Sequence, residues 1–180
     1  LNKKGLQPKI KWPNDIYINN KKICGILIEN TISGANLAVS ICGVGLNLSQ
    51  TQFSSDAPNP TSLALELCNT CNLDLKEELS LLISEILLIY NNLKDTNEYA
   101  NQLHKEYISL LYRYNQIHKF VEITQQNNLN LPVEKIDNGR VIEGEIIDVN
   151  TNGCVVIKVY NPKEAPQIKS YSFKEIRYII

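Results

Sequence analysis

The sequence has no methionine, one tryptophan and three phenylalanines among 180 residues. It also has no excess of charge, because 18 basic and 19 acidic side chains leave a net charge of −1. General nucleic-acid binders carry a clear basic excess, and single-strand binders interleave it with aromatic platforms, so both classes are disfavoured. An RNA-binding domain built on a synthetase-like sheet is set aside on the same grounds. No apolar run reaches 18 residues, which excludes a transmembrane helix of ordinary length. The opening "LNKKGLQPKIKW" lacks the apolar centre of a secretion signal. Methionine is missing even at position 1, and a strand-like segment begins almost at once. Those two features lead us to expect a part of a longer protein.

Metal-ligating patterns are thin. The five cysteines are Cys24, Cys42, Cys68, Cys71 and Cys154, an odd number without a secretory signal. Reduced thiols and a cytoplasmic location are expected. Cys68 and Cys71 form a Cys-x-x-Cys, but no second pair completes a zinc site, and His104 and His118 lie far along the chain. The pair reads as small apolar residues on a helix.

What is present is a hydrophobic fraction of 43%, enough for a core in one domain or in one medium and one small domain. Residues 9–48 read as an antiparallel meander. Strands run from Lys9 to Trp12, ending at Pro13, from Asp15 to Ile18, near Lys22 to Asn30, and through "NLAVSICGVGLNL". Asn19-Asn20 and Ser33-Gly34 are the turns between them. A polar loop, "SQTQFSSDAPNP", precedes a helix opening near Ser62. Asp74 caps a second helix, with Glu77 three residues on. Its apolar stripe of Leu75, Leu79, Leu82, Ile83, Ile86 and Tyr90 is expected to be core. A third helix, near 98–111, carries Tyr99, Leu103, Tyr107, Ile108, Leu110 and Leu111. After Tyr114–Lys119 the character changes to short strands: "FVEIT", "VIEGEIIDVN", "GCVVIKVY" and "SYSFKEIRYII". Asn152-Gly153 is a hairpin turn, "QQNNLNL" is a loop, and a small β-barrel is expected. The fold class is therefore α+β, with domains at 1–118 and 119–180.

The chemistry concentrates in "KWPNDIYINNKKICGILIEN", residues 11–30. Lys11, Asn14, Asp15, Lys21 and Lys22 can gather at one end of a hairpin sheet. Asp15 can hold magnesium or accept a proton. Asn14 can bond phosphate or its metal, and the lysines can meet phosphate or carboxylate oxygens. Gly25 admits a close approach to the backbone. Cation, carboxylate and amide together suit activation of a carboxylic acid by a nucleoside triphosphate. Pro-Asn-Asp is equally a good turn, and Lys-Lys equally a solvated pair. In "GVGLNL", Gly43 and Gly45 lack the third glycine of a dinucleotide fingerprint. Asn47, in an apolar strand, needs partners from the backbone or from a ligand.

The strings "KWPND" at 11–15, "KKICGILIE" at 21–29 and "GVGLNL" at 43–48 resemble, in order and in spacing, the central motifs of biotin protein ligases. These are also called biotin–[acetyl-CoA-carboxylase] ligases. "PTSLALEL" at 60–67 and the tail from "LYRYN" through "FKEIRYI" extend the resemblance over nearly the whole chain. It implies a mixed sheet with helices, similar to class II aminoacyl-tRNA synthetases, followed by an SH3-like β-barrel. It implies that biotin and ATP form biotinyl-5′-adenylate with Mg2+ assistance. The biotinyl group then passes to a lysine of a biotin carboxyl carrier protein, as in acetyl-CoA carboxylase. Carried over by motif, Lys22 is the catalytic cation on the biotin carboxylate and α-phosphate. Asp15 positions the carrier lysine, and Asn14 with Asp15 meets phosphate or magnesium. Lys11 and Trp12 shape the nucleotide side, Gly25 lines the biotin pocket, and Asn47 bonds the nucleotide. Lys174 and Glu175 lie where the barrel would assist with ATP or the carrier.

The family's Gly-Arg-rich loop has no counterpart here, so the resemblance implies an incomplete part of the enzyme, inactive in isolation. A lipoate or octanoyl ligase relative is one alternative. A non-catalytic module that binds a carrier or a subunit is another. The family also allows a homodimer through sheet edges. No membrane partner and no nucleic-acid binding by this chain are expected.

Overall fold

Alternating apolar residues, with turns at Asn19-Asn20 and Ser33-Gly34, build the first half of the chain into a four-stranded antiparallel sheet. Its strands are β1 (Pro8–Lys11), β2 (Asp15–Ile18), β3 (Lys21–Ser33) and β4 (Asn36–Leu46), in the order β1-β2-β3-β4. The computed structural model describes residues 1–34, 36–54, 59–67, 73–95, 97–123 and 139–180. Asn19 takes φ +54° and Gly34 φ +62°, the left-handed conformations that tight reversals require. Three helices follow: α1 (Leu63–Glu66), α2 (Leu75–Asp95) and α3 (Asn97–Ser109). Asp74 caps α2 by accepting from the backbone N–H groups of Lys76 and Glu77. Cys68, Cys71 and the 125–131 loop lie outside the described residues, as does part of the 49–60 loop.

The chain divides into two compact units, Leu1–Tyr107 and Ile108–Ile180. In the first, Ile18, Ile23, Cys24 and Leu63 form a buried cluster, with Ile16, Ile26, Leu46 and Leu48 packed against it. The α2 stripe expected as core is largely exposed, and this corrects the sequence reading: Leu75, Leu79, Ile83, Ile86 and Tyr90 face solvent. Glu78, Leu82, Glu85 and Ile89 are half-buried instead. The helix is apolar on several faces, so periodicity alone does not select one. Lys4 and Lys3, near the start of the chain, pair with Glu78 and Glu85 on that half-buried side.

The outer parts of β3 and β4 form a ribbon with apolar side chains on both faces. Leu27, Ile28, Ile32, Leu37, Val39 and Ile41 are all exposed, Ile32 at 70% and Ile41 at 62%. β4 is also a sheet edge. Exposed apolar edges favour association. We expect the 180-residue chain to bind a hydrophobic dye and to self-associate in light scattering. The double variant Ile32→Lys/Ile41→Lys should lower both signals without lowering Tm. A chain that is monodisperse and dye-silent before substitution contradicts this.

The second unit is an antiparallel sheet of β5 (Ile117–Glu122), β6 (Arg140–Val149), β7 (Val155–Asn161), β8 (Glu164–Tyr171) and β9 (Ile176–Tyr178), in the order β8-β7-β6-β5-β9. Among the described residues no pairing joins β8 to β9, so closure into a barrel is not observed. Phe120, Ile146, Val155 and Ile157 are among its most buried side chains. Gly144 is required there, since a Cβ would lie 2.5 Å from Ile157 Cγ2. The 150–154 turn forms around Gly153 at φ +77°, with the Asn150 side chain accepting from the N–H groups of Asn152 and Cys154. "SYSFKEIRYII", read as one strand, is broken by a turn at 172–175. There the Ser172 N–H donates to Glu175 Oε2, and the Glu175 N–H donates to the Ser172 carbonyl.

Glu122 is a hub of this unit, accepting from Tyr171 Oη at 2.9 Å and from Lys169 Nζ at 3.1 Å. Burial works to raise its carboxyl, but hydrogen bonds from Tyr171 and Lys169 outweigh burial and hold it below the usual range. A depressed carboxyl contributes stability that is present above its unfolded value and lost as pH falls through its folded value. Glu122→Gln should therefore cost about 1 kcal/mol near neutral pH, the charge-assisted part of these bonds. The gap from wild type should close on acidification below the ordinary glutamate range, as followed by urea unfolding. An unchanging gap contradicts the assignment.

Candidate active site

Strand register decides which side chains share a face. Lys11 pairs with Asp15, Asp15 with Gly25, and Gly25 with Gly45, so these four lie on one face. Simple alternation would put Lys22 beside Cys24, on the opposite, core-facing side. A bulge intervenes: Ile16 pairs with Cys24 but Tyr17 with Lys22, leaving Ile23 as the extra residue. The bulge turns Lys22 onto the face of Asp15 and Gly25, as such insertions re-aim side chains. Lys22 Nζ consequently lies 2.6 Å from Asp15 Oδ1.

Gly25 makes this arrangement possible. A Cβ at position 25 would stand 3.3 Å from Lys22 Nζ and 3.5 Å from Asp15 Oδ1. Gly45 is its register partner, and Gly43 sits opposite Leu27 on the same face. Three glycines thus leave a bare strip of backbone beside an ammonium–carboxylate pair. The pair is partly open to water, with side-chain exposures of 31% for Lys22 and 18% for Asp15. Ion pairs so exposed contribute little to stability, which leaves both groups available to a ligand. Burial, chiefly, pushes the neighbouring Cys24 thiol up, keeping it protonated.

The other residues singled out in the sequence are placed as follows. Lys11 Nζ lies 5.2 Å from the Tyr17 ring centroid, a cation–π contact. Tyr17 itself is buried and passed unnoticed in the sequence, where only its period-2 position marks it. Trp12 is buried, and Asn14 is exposed, with its carbonyl accepting from the Ile26 N–H. Asn47 is anchored by protein, since Nδ2 donates to the Thr61 carbonyl at 2.9 Å. In the second unit, Lys174 Nζ stands 5.6 Å from the Phe173 ring centroid, and Glu175 is engaged in the 172–175 turn. Among the described residues no group of three His, Cys, Asp or Glu side chains is placed to hold a metal. One carboxylate and one amide, Asp15 and Asn14, are fewer oxygens than an all-protein site for a resident ion needs. They do fit a magnesium that arrives with phosphates, for which one or two protein oxygens suffice. No helix among the described residues is long and apolar enough to cross a membrane.

Residues 2–47 match the biotin/lipoate A/B protein ligase family. Biotin–protein ligase 2 of Arabidopsis thaliana is 40% identical over 80 residues, covering 43% of this chain and 23% of the relative. The bifunctional ligase/repressor BirA of Escherichia coli is 31% identical over 78 residues, covering 43% and 24%. The chain thus spans about a quarter of the length of these relatives. Among solved structures, the Aquifex aeolicus biotin protein ligase in complex with biotin and ATP aligns with a TM-score of 0.64 at 21% identity. That alignment covers 99% of this chain and 65% of the other, which establishes the fold.

Proposed function

We propose that the chain, whose residues 2–47 are similar to the biotin/lipoate A/B protein ligase family, carries the cation and carboxylate of a biotin-activating centre. The observation that carries this reading is the Lys22–Asp15 pair set over the Gly25 backbone. In the first step the biotin carboxylate attacks the α-phosphorus of ATP, the bond to the β-phosphate oxygen breaks, and pyrophosphate leaves. The Lys22 ammonium neutralises charge building on the α-phosphate oxygens, having exchanged its bond to Asp15 for one to substrate. Asp15, released, accepts the proton of the carrier lysine as that amine attacks the biotinyl carbonyl and AMP departs. Gly25 forms the floor for biotin, and Lys11, Trp12, Asn14 and Asn47 address the nucleotide. Asn14 and Asp15 would be the protein oxygens to hold a magnesium bound to ATP, which would supply charge neutralisation at the phosphates. The acceptor is a biotin carboxyl carrier protein such as that of acetyl-CoA carboxylase. The five-stranded sheet of the second unit supports reading that unit as the family's SH3-like barrel, and the free thiols of Cys24, Cys42 and Cys154 suit the cytoplasm.

The exposed apolar ribbon of β3 and β4 supports a second reading, a non-catalytic module that binds a carrier or a subunit on the same scaffold. Incubating the full-length gene product with biotin, Mg-ATP and an unmodified carrier domain separates the two. Biotinylation of one carrier lysine with AMP as nucleotide product supports the ligase. Transfer of octanoate or lipoate in place of biotin points to the lipoate branch of the family. Carrier binding without acyl transfer by a folded protein supports the module.

A further inference from the structure

Thr61 and Ser62 are polar, fully buried, and not part of the Lys22–Asp15 face. Thr61 nevertheless touches two site residues that are 25 positions apart. Its N–H donates to the Lys22 carbonyl at 2.8 Å, and its carbonyl accepts Asn47 Nδ2 at 2.9 Å. The Lys22 N–H in turn donates to the Asn59 carbonyl at 2.8 Å, and Lys22 bridges Pro60 in parallel pairing. The backbone of Lys22 is therefore held on both sides by the 59–61 segment. That segment is tied down by the Thr61 hydroxyl, which donates to Glu66 Oε1 at 2.6 Å, at the end of α1. The start of α1 is fastened as well to the segment that follows β4, through Leu63 N–H to the Asn47 carbonyl and Ala64 N–H to the Leu48 carbonyl.

We infer that Thr61, locked by Glu66, is a positioning residue that sets the Lys22 ammonium against Asp15 and fixes Asn47 beside it. The inference rests on the ligase reading for its kinetic consequence, but not for its structural one. A buried hydroxyl bonded to a carboxylate is a strong, directional anchor. Thr61→Val keeps the shape and removes that anchor, leaving the 59–61 segment free to shift and Lys22 with it.

The test uses the full-length gene product and two readouts. The first is the acylation rate of the Lys22 amine by acetic anhydride, relative to that of exposed Lys21, followed by peptide mass spectrometry. The second is the split between kcat and KM in biotinyl-adenylate formation. Thr61→Val should raise the Lys22:Lys21 ratio several-fold and lower kcat by up to roughly 100-fold, with KM for ATP little changed. Thr61→Ser, which restores the hydroxyl, should return both towards wild type. Glu66→Gln, which leaves Thr61 intact, should move both in the same direction as Thr61→Val but less. Ser62→Ala removes the α1 cap, where Ser62 Oγ accepts from the Leu65 N–H, and serves as the control for destabilisation alone. It should lower Tm and move neither readout. A Thr61→Val protein that loses only Tm, with the labelling ratio at the wild-type value, overturns the proposal. A wild-type protein that makes no adenylate counts against the ligase reading, while the labelling ratio still decides the role of Thr61.

Discussion

Lys22→Ala is expected to slow formation of biotinyl-adenylate about 100- to 1,000-fold, the usual effect of removing one preorganised charge-stabilising group. Lys22 is the cation that the β2–β3 bulge brings to Asp15, 2.6 Å away. Its partner Lys21 pairs with Ile18 at the strand end and is exposed, so it cannot substitute without a shift of register. The folded state should tolerate the change, because the ion pair is partly solvated and contributes little to stability. Single-turnover adenylate formation, measured beside Tm, checks both halves. An activity loss below about tenfold would remove Lys22 from the role of catalytic cation. An equal fall in Tm and rate would make it structural.

Gly25→Val is expected to lower the same rate by about 100-fold, as for a displacement of reacting groups on the order of 1 Å. A Cβ alone would stand 3.3 Å from Lys22 Nζ, and the branched side chain of valine would extend over the bare strip that Gly25 shares with Gly45. Valine suits a strand, so the sheet itself should not suffer. The signature is thus lost activity with retained or raised Tm, and an elevated KM for biotin if the strip is the biotin floor. Unchanged kinetics in Gly25→Val would mean that the strip carries no ligand.

Much of the sheet was legible because local chemistry decides it. Asn19 and Gly34 adopt the positive φ expected of turn residues, and β1 to β4 follow the alternation of "KIKW", "DIYI" and their successors. Asp74 caps α2 as its spacing suggests. Other features depend on contacts that a single strand does not encode. The facing of Lys22 depends on a bulge opposite Ile16 and Tyr17, which only the pairing of two strands reveals. Asn47 was read as needing partners without a means to choose them, and a carbonyl 14 residues away supplies one. The α2 stripe misled because leucine and isoleucine ring most of that helix, and its half-buried side carries Glu78 and Glu85 instead. Thr61 was legible only as part of the string "PTSLALEL", since its bonds run to the Lys22 main chain, the Asn47 side chain and Glu66, which strand and helix patterns do not register. The break at 172–175 rests on a carboxylate, Glu175, folding back on the Ser172 N–H, and strand propensity does not register that contact.

Biotin-dependent exchange of pyrophosphate into ATP by the full-length gene product tests the central claim most directly, because it reports the reversible adenylation step without any carrier. The account predicts exchange that requires biotin and magnesium, and that disappears in Lys22→Ala while the variant stays folded. A well-folded protein with no biotin-dependent exchange, or with exchange undiminished in Lys22→Ala, would contradict it.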